Sequence, residues 1–363
     1  MLLKTAIDDL IGRVGLKDKE NADTRAIALT KFNFSFAAFW KATNWNFRYK
    51  SAQLVLIPNI TGTGTWTVFD GTNEDVSRAI NVGSHAGKWN GRYFQPTGAD
   101  NWYRIQDDDG TTLTLDAPVL ESGTTFTVWK RLYQLCSDCE TLLNLYPFNG
   151  ESVKEYRPSQ KLVGDYSSLA TESVPLKYSE YGVDNYQDLV YSTGTVTGTE
   201  GSDMLTGTAT AFVGNVGMGD IITIDDNEYV IKRVEGQILK LYTHLLFAVT
   251  GGTFSIRKNN PLSISLYPNT DAFRILNYDY ISKPYHFTNE TYDDIPFDRN
   301  TIDCILKRAE AEWLAKNDEW NNYTIALNVY EARLSGLKAN KNAVKSTFSK
   351  FEPLISPAMP GRY

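Results

Sequence analysis

The sequence predicts an α+β protein. A helical bundle and an antiparallel β core carry two similar inserted small antiparallel β modules and an extended C-terminal arm. Apolar residues recur at steps of three and four in residues 24–41 and 301–348, which is the period of a helix with one buried face. Short alternating runs separated by Gly, Thr, Ser and Asp fill residues 61–131 and 194–258, as in small antiparallel sheets.

Length and composition narrow the class of protein. The chain has 363 residues, of which 42% are hydrophobic, so we expect two or three packed domains. A net charge of -7 argues against a nucleic-acid clamp, which needs a basic surface. Three cysteines are too few for a disulfide-stapled secreted module. Because Asp8 and Asp9 interrupt the position of a signal peptide, and because no run of about 18 apolar residues occurs, we expect a soluble protein made in a reducing cytoplasm.

Two helices are predicted before residue 42. A short amphipathic helix covers residues 2–13, with Leu3, Ile7, Leu10 and Ile11 on one side. A longer helix covers residues 24–41, with Asp23 as its N-cap. Its apolar stripe comprises Leu29, Phe32, Phe36 and Phe39. Trp40, Trp45 and Phe47 then lead into a strand at residues 51–57, and we expect these large rings to fix the packing of helix on sheet.

The two β modules resemble each other in sequence. Residues 102–115 align with residues 228–241, so that Tyr103, Ile105, Gly110, Leu113 and Leu115 match Tyr229, Ile231, Gly236, Leu239 and Leu241. We interpret this as a duplicated module of two strands and a Gly-containing turn, followed by a loop and a closing strand. The predicted domains are residues 1–57 and 259–348 (helical bundle with core strands), 58–131 (module 1), 132–193 (core connecting segment), 194–258 (module 2) and 349–363 (arm).

The C-terminal third returns to the core. Strands are predicted at residues 261–268 and 271–284, whereas residues 132–145 fit either a strand or a short helix. Helices are predicted at 301–316, with a capping-box-like start at Asn300 and Asp303, and at 318–348. We favour a single intramolecular bundle in which the apolar stripes of these two helices and of residues 24–41 cover one another. The alternative is that the stripe of the last helix forms a coiled-coil dimer seam. The predicted core-packing residues are Phe32, Phe36, Trp40, Trp45, Trp313, Trp320, Leu327 and Leu334.

No motif supports catalysis or a bound cofactor. Cys136 and Cys139 form a C-x-x-C pair, but neither a βαβ context nor two further zinc ligands accompany them, so we expect two half-buried packing residues. Asp107, Asp108 and Asp109 lack the ligand spacing of a calcium-binding EF-hand loop, and we expect a solvent-facing acidic turn. The sequence therefore predicts no catalytic residues, no cofactor, no metal and no enzymatic activity.

The C-terminal arm, which includes the tail at residues 350–363, resembles a docking peptide. Pro353, Pro357 and Pro360 favour an extended backbone, and a rigid proline lowers the entropic cost of ordering the segment on binding. The predicted anchor residues are Phe351, Leu354, Ile355, Pro357, Met359 and Tyr363. Two readings stay open: a strap that lies on its own subunit, or an arm that packs between neighbouring subunits.

The layout resembles the head-to-tail adaptor (connector) proteins of tailed bacteriophages, in particular the tail tubular protein A type. The resemblance rests on AFWKATNWNFRYKSAQLVLI (38–57), SISLYP (263–268), RILNYDYISKP (274–284) and the YEARL-like stretch at residues 329–334. It covers residues 23–57 and 261–348 and is weak between them, since the simplest adaptors lack β modules.

The resemblance implies a structural protein of the virion neck. Such an adaptor would form a ring, expected to be a dodecamer, with the portal protein above it and a tail or nozzle protein below. Genomic DNA would pass through the channel without specific binding, and no membrane is involved. The resemblance also implies that the arm docks on the portal. Two other hypotheses are a tail, baseplate or receptor-binding protein with carbohydrate-binding β modules, and a polysaccharide-cleaving enzyme.

Overall fold

The computed structural model describes residues 2–16, 18–85, 89, 91–130, 132–147, 154–155, 172–173, 177–183, 191–212, 215–267, 269–270, 272–288, 295, 297–317 and 319–339. The helices are α1 (Leu3–Arg13), α2 (Ala22–Lys41), α3 (Glu74–Arg78), α4 (Arg299–Lys316) and α5 (Trp320–Ala339). The strands are β1 (Tyr49–Leu56), β2 (Ile60–Thr63), β3 (Ala79–Asn81), β4 (Tyr93–Pro96), β5 (Tyr103–Asp108), β6 (Thr112–Leu115), β7 (Thr125–Trp129), β8 (Leu132–Gln134), β9 (Cys139–Pro147), β10 (Lys154–Glu155), β11 (Glu172–Ser173), β12 (Lys177–Val183), β13 (Thr195–Gly198), β14 (Met204–Thr208), β15 (Ile221–Ile224), β16 (Asn227–Glu235), β17 (Ile238–Leu241), β18 (Val249–Gly252), β19 (Ser255–Arg257), β20 (Leu262–Tyr267), β21 (Asn269–Thr270) and β22 (Arg274–Ser282). The α+β class predicted from the sequence is confirmed.

The helices form one bundle in which α4 contacts α1, α2 and α5. The apolar face of α1 is fully buried at Leu3, Ile7, Leu10 and Ile11. The bundle core also contains Phe32, Phe36, Phe39, Trp40, Trp45, Trp313, Tyr330 and Leu334. The apolar faces of helices from both ends of the chain are therefore buried against one another within one subunit, as is expected of amphipathic helices.

An aromatic cluster joins α2 to the first strand. The rings of Phe39 and Trp45 stack with centroids 4.9 Å apart, and Trp45 and Phe47 stack at 6.0 Å. The indole Nε1 of Trp45 donates to the main-chain oxygen of Phe39 at 2.8 Å. Phe297 packs its edge against Phe47 at 5.0 Å, so the segment before α4 closes the same cluster.

Both predicted helix N-caps are wrong. α2 begins two residues earlier than Asp23 implies, because the side chain of Asn21 accepts a hydrogen bond from the Thr24 amide. α4 is capped by Asp298, whose carboxylate accepts from the Thr301 amide at 2.8 Å. Several Asn and Asp residues precede each helix, and the backbone path selects among them.

The core-packing prediction is wrong at Trp320. This residue opens α5 and is 59% exposed, with its ring against Tyr323 at 5.8 Å. It stands at the very start of the helix, ahead of the buried face formed by Ala326, Tyr330 and Leu334. Leu327 is partly buried against the bundle core. The predicted helix 318–348 is described only to residue 339, and its remainder lies outside the described residues.

Two sheets enclose the β core, one antiparallel and one mixed, because β10 pairs parallel to β12. One sheet has the order β1-β22-β9, and the other has the order β10-β12-β20-β8. Strand β1 pairs with β22 along its whole length, from Tyr49 opposite Ile281 to Leu56 opposite Arg274. The shared core contains Leu54, Tyr133, Leu142, Tyr178, Ile264, Tyr278 and Tyr280. The undecided stretch 132–145 thus forms β8 and most of β9, both part of the core.

Each β module closes on itself. In module 1 the order is β2-β7-β4-β5-β6-β3, and Thr65, just after β2, bridges Asn81 in β3. In module 2 the order is β18-β13-β14-β17-β16-β15-β19, and Tyr191, just before β13, bridges Ile256 in β19. One segment of chain therefore touches both edges of each sheet. We call the two closed sheets barrel 1 (60–129) and barrel 2 (191–257).

The two barrels share strand order and register. The order β7-β4-β5-β6-β3 of barrel 1 corresponds to β19-β15-β16-β17-β14 of barrel 2. Ile105 lies opposite Leu115, and Ile231, 126 positions further along, lies opposite Leu241. Both hairpins have a register shift at the next residue of the longer strand. The same strand pairing and the same bulge position in both copies are expected of a duplicated module.

Candidate functional site

The C-x-x-C pair runs from the loop after β8, which holds Cys136, to the first residue of β9, Cys139, and both side chains are buried, not half-buried as predicted. The Tyr278 hydroxyl lies 3.0 Å from the sulfur of Cys136. Burial raises the pKa of Cys136 to about 11 and raises the pKa of Cys139 further. Both thiols are therefore protonated near neutral pH and are poor nucleophiles. Among the described residues, no three His, Cys, Asp or Glu side chains group so as to hold a metal ion.

The residue between the two cysteines joins the core to barrel 2. Ser137 donates its hydroxyl to Asp220 at 2.7 Å, and the Lys258 ammonium lies 2.8 Å from the same carboxylate. The Gly217 amide also donates to Asp220, at 2.7 Å. Burial raises the pKa of Asp220, although Lys258 opposes this shift. A buried carboxylate with these partners is satisfied, and removal of a partner is costly.

A second buried carboxylate lies beside the first. Asp138 binds the Lys50 ammonium at 2.6 Å and accepts the Tyr280 hydroxyl at 2.8 Å. Its main-chain amide donates to the Met218 carbonyl at 3.2 Å, and its carbonyl accepts the Lys283 amide at 2.7 Å. Burial disfavours the charged Lys50 side chain, but Asp138 outweighs that cost and the pKa of Lys50 is raised.

Two glycines let barrel 2 approach this loop closely. Gly219 has φ +83°, and a Cβ there would stand 2.5 Å from the Asp138 amide nitrogen. A Cβ on Gly217 would stand 2.9 Å from the Cys136 sulfur. Backbone contact of this kind favours glycine. We call Lys50, Ser137, Asp138, Asp220, Lys258 and Tyr280 the junction cluster.

The junction cluster was missed from the sequence. Its members come from five distant stretches of chain, and no spacing rule links them. The signal that could have found it is the Gly-x-Gly-Asp run at residues 217–220, which stands just before a strand of the second repeat. Because its charged side chains are paired at 2.6 and 2.8 Å and are at most 13% exposed, the cluster acts as a rigid joint between core and barrel 2.

The acidic turn of barrel 1 is not solvent-facing at its centre. The side chain of Asp108 is fully buried. It lies 3.0 Å from Nε2 of His85 and accepts the main-chain amides of Trp89 at 2.6 Å and Gly110 at 2.8 Å. The equivalent residue of barrel 2 is Val234, so comparison of the repeats offers no reason to expect a buried acid. The carboxylate organises the loop that carries His85 and Trp89.

The surface carries several large apolar residues on the bundle and the core sheet. Trp320 and Ile325 of α5 are 59% and 63% exposed, and Phe34 of α2 is 55% exposed. Phe273, at the start of β22, is 67% exposed. We use the name α5 outer face for Trp320 and Ile325, two exposed side chains that lie five residues, or about 140°, apart around the helix. Exposed apolar groups of this size on structural elements are typical of interaction surfaces when they cluster.

The predicted docking arm falls beyond the part of the chain that the structure describes. Phe351, Leu354, Ile355, Pro357, Met359 and Tyr363 all lie outside the described residues. The helix that precedes them, α5, is described to Ala339.

Among the described helices, none has the length and hydropathy that a membrane-spanning helix needs.

Comparison with known proteins adds nothing to the functional inference, which therefore depends on the residues of this chain. A scan of protein-family models and a search of curated proteins both find no match to this chain.

Proposed function

We propose that the protein is a head-to-tail adaptor of a tailed bacteriophage. It forms a ring below the portal and joins the capsid to the tail around the DNA channel. The observation that carries this proposal is the α5 outer face. Helix α5 packs on α4 along one side, while Trp320 and Ile325 point outward. A ring needs two different complementary surfaces on each subunit, and aromatic and aliphatic groups on rigid helices suit them.

The charge of the chain supports the same proposal. Phosphate affinity grows with each Lys or Arg that contacts DNA. A protein with net charge -7 therefore suits a conduit through which DNA must slide. The build of the molecule also fits an assembly role, because a buried ionic joint holds barrel 2 against the core.

The experiment is the mass of the assembled protein. Ile325→Asp places a charge in the α5 outer face, where the side chain is exposed and the fold should tolerate it. Leu120→Asp is the matched control, because Leu120 is 57% exposed on barrel 1. We expect mass photometry to show that Ile325→Asp lowers the ring population and that Leu120→Asp leaves it unchanged. Equal behaviour of the two variants would remove the α5 outer face from the interface.

A second candidate is a tail or receptor-binding protein whose β modules bind carbohydrate. The observation that favours it is an aromatic group on barrel 1. Tyr93 stacks on Trp129 at 5.0 Å and meets Trp102 edge-on at 4.7 Å. Barrel 2 has Glu228 and Arg257 at the positions of Trp102 and Trp129, joined as an ion pair. A glycan array tests this candidate: saccharide binding that Trp102→Ala abolishes would favour it over the adaptor.

A further inference from the structure

The shared register of the barrels allows position-by-position comparison of their charges. Tyr93 lies opposite Trp129 in barrel 1, and Ile221 lies opposite Arg257 in barrel 2. Arg92 precedes Tyr93 and Lys130 follows Trp129 in barrel 1. In the same way, Asp220 precedes Ile221 and Lys258 follows Arg257 in barrel 2. The backbone confirms the match, because the Ile105 amide donates to the Arg92 carbonyl and the Ile231 amide donates to the Asp220 carbonyl, each at 2.9 Å.

Barrel 2 satisfies its charges at this place. Asp220 and Lys258 form an ion pair of 2.8 Å, and the carboxylate also accepts the Ser137 hydroxyl and the Gly217 amide. The pair faces the core at the junction cluster. Opposite charges across neighbouring strands stabilise a sheet.

Barrel 1 has two cations at the same place. Arg92 stands where barrel 2 has Asp220, and Lys130 stands where barrel 2 has Lys258. Within the described part of the chain, neither side chain forms an ion pair. The Lys130 ammonium lies 5.0 Å from the ring centroid of Tyr133 in the core. Both cations keep part of their surface exposed to solvent.

The electrostatic cost of this arrangement is visible in both groups. Burial, together with the nearby charges of Arg92 and Lys258, lowers the pKa of Lys130 to about 7. Burial also lowers the pKa of Arg92, while Tyr133 and Asp108 oppose that shift. A sheet position with like charges side by side is destabilised, and an anion between them would remove that cost.

We propose that Arg92 and Lys130 form a binding site for a phosphate-type oxyanion, which takes the place that the Asp220 carboxylate fills in barrel 2. The planar guanidinium of Arg92 suits bidentate contact with two oxygens, and the ammonium of Lys130 supplies a compact charge. The anion comes either from inorganic phosphate or from a nucleic-acid phosphodiester. This proposal is independent of the adaptor function.

The experiment compares thermal melts of the full chain in phosphate and in chloride at equal ionic strength and pH 6.5. At about 10 mM phosphate, too dilute for a general salting effect, we expect the melting temperature to rise by about 2 °C. Arg92→Asp and Lys130→Met should abolish the rise. Lys240→Met, which removes a barrel 2 lysine beside Glu235, should retain it.

A second measurement follows Lys130 itself. With isotope-labelled dimethyl-lysine, NMR should show the Lys130 pKa rising when phosphate is added. Arg92→Asp should raise it without phosphate, because it rebuilds the ion pair of barrel 2, and this variant decides the matter if Lys130→Met does not fold. An equal melting shift in wild type, Arg92→Asp and Lys130→Met would overturn the site, as would no shift in wild type with either phosphate or a short DNA duplex. A shift with the duplex alone would assign the anion to nucleic acid.

Discussion

The indole Nε1 of Trp40 donates a hydrogen bond of 2.8 Å to the main-chain carbonyl oxygen of Ser282, 242 residues further along the chain. Trp40 lies in the last turn of α2 and Ser282 is the last residue of β22, and both are buried. The bond ties the end of the bundle helix to the end of the core strand. Both barrels are inserted between these two residues, so the core sheet is completed only after both barrels have been made.

Trp313 should be a strong stability determinant, and Trp320 should not. Trp313 is buried in the bundle core, so Trp313→Ala should lower the free energy of unfolding by about 3–5 kcal/mol. Trp320→Ala is the matched control and should change it by less than about 0.5 kcal/mol. Urea denaturation monitored by circular dichroism measures both. Similar losses for the two variants would contradict the placement of α5.

Gly219 should tolerate alanine less well than Gly236. Both have positive φ, +83° and +63°, so alanine at either site costs about 1–2 kcal/mol of backbone strain. Only at Gly219 would the new Cβ meet another backbone atom, the Asp138 amide nitrogen at 2.5 Å, whereas nothing lies within 4 Å at Gly236. Gly219→Ala should therefore cost a further 1–3 kcal/mol, roughly. Thermal melts of the two variants test the tightness of the junction, and equal melting temperatures would refute it.

The protein should lose stability above about pH 10. Burial raises the pKa of Tyr133 to about 12 and raises those of Tyr278 and Tyr280 strongly. The unfolded tyrosines lose their protons first, so the unfolded state is favoured as the pH rises. Lys50 acts in the same direction, because its pKa is raised in the folded protein. The stability that its ion pair contributes is complete below the pKa of Lys50 in the unfolded chain, and it is lost as the pH rises through the pKa in the folded protein.

Tyr280→Phe checks this pH dependence. The variant removes the hydrogen bond to Asp138 and should destabilise the protein at pH 8. The difference from wild type should shrink above about pH 10, because the variant lacks one of the buried ionising groups. Tyr49→Phe, at an exposed position, is the control and should leave the pH profile unchanged. Guanidinium denaturation between pH 8 and 11 is the measurement, and a constant difference would refute the assignment.

The periodic parts of the fold could be predicted from the sequence. Helical spacing predicted α1, α2 and α4 within two residues, because each has one continuous buried face. The duplication was visible because Tyr103 and Tyr229, with their neighbours, keep their barrel-core positions in both copies. Alternation predicted β20 and β22 in the same way.

Features that depend on distant residues could not be predicted. The burial of Asp108 depends on His85 and the Trp89 amide, which no repeat pattern reveals. The junction cluster joins residues from β1, the loop after β8, and barrel 2. Trp320 matches an apolar stripe by spacing, but its place at the start of α5 leaves its ring on the surface. In each case tertiary geometry, and not local pattern, decides exposure.

The tail should be needed for attachment and not for folding. The prolines at 353, 357 and 360 favour an extended segment that docks on a neighbouring, preferably portal, subunit. Deletion of residues 350–363 should leave the melting temperature unchanged and prevent co-sedimentation with the portal ring. A truncated protein that unfolds would show instead that the tail is a strap on its own subunit. Normal attachment after truncation would exclude a docking role.

The most direct test of the adaptor proposal is an electron micrograph of the purified protein mixed with the portal protein of the same virion. We expect a closed ring of the chain below the portal, with twelve copies and an axial channel. A protein that stays monomeric beside intact portal rings, or that forms open fibres with no axial channel, would contradict it.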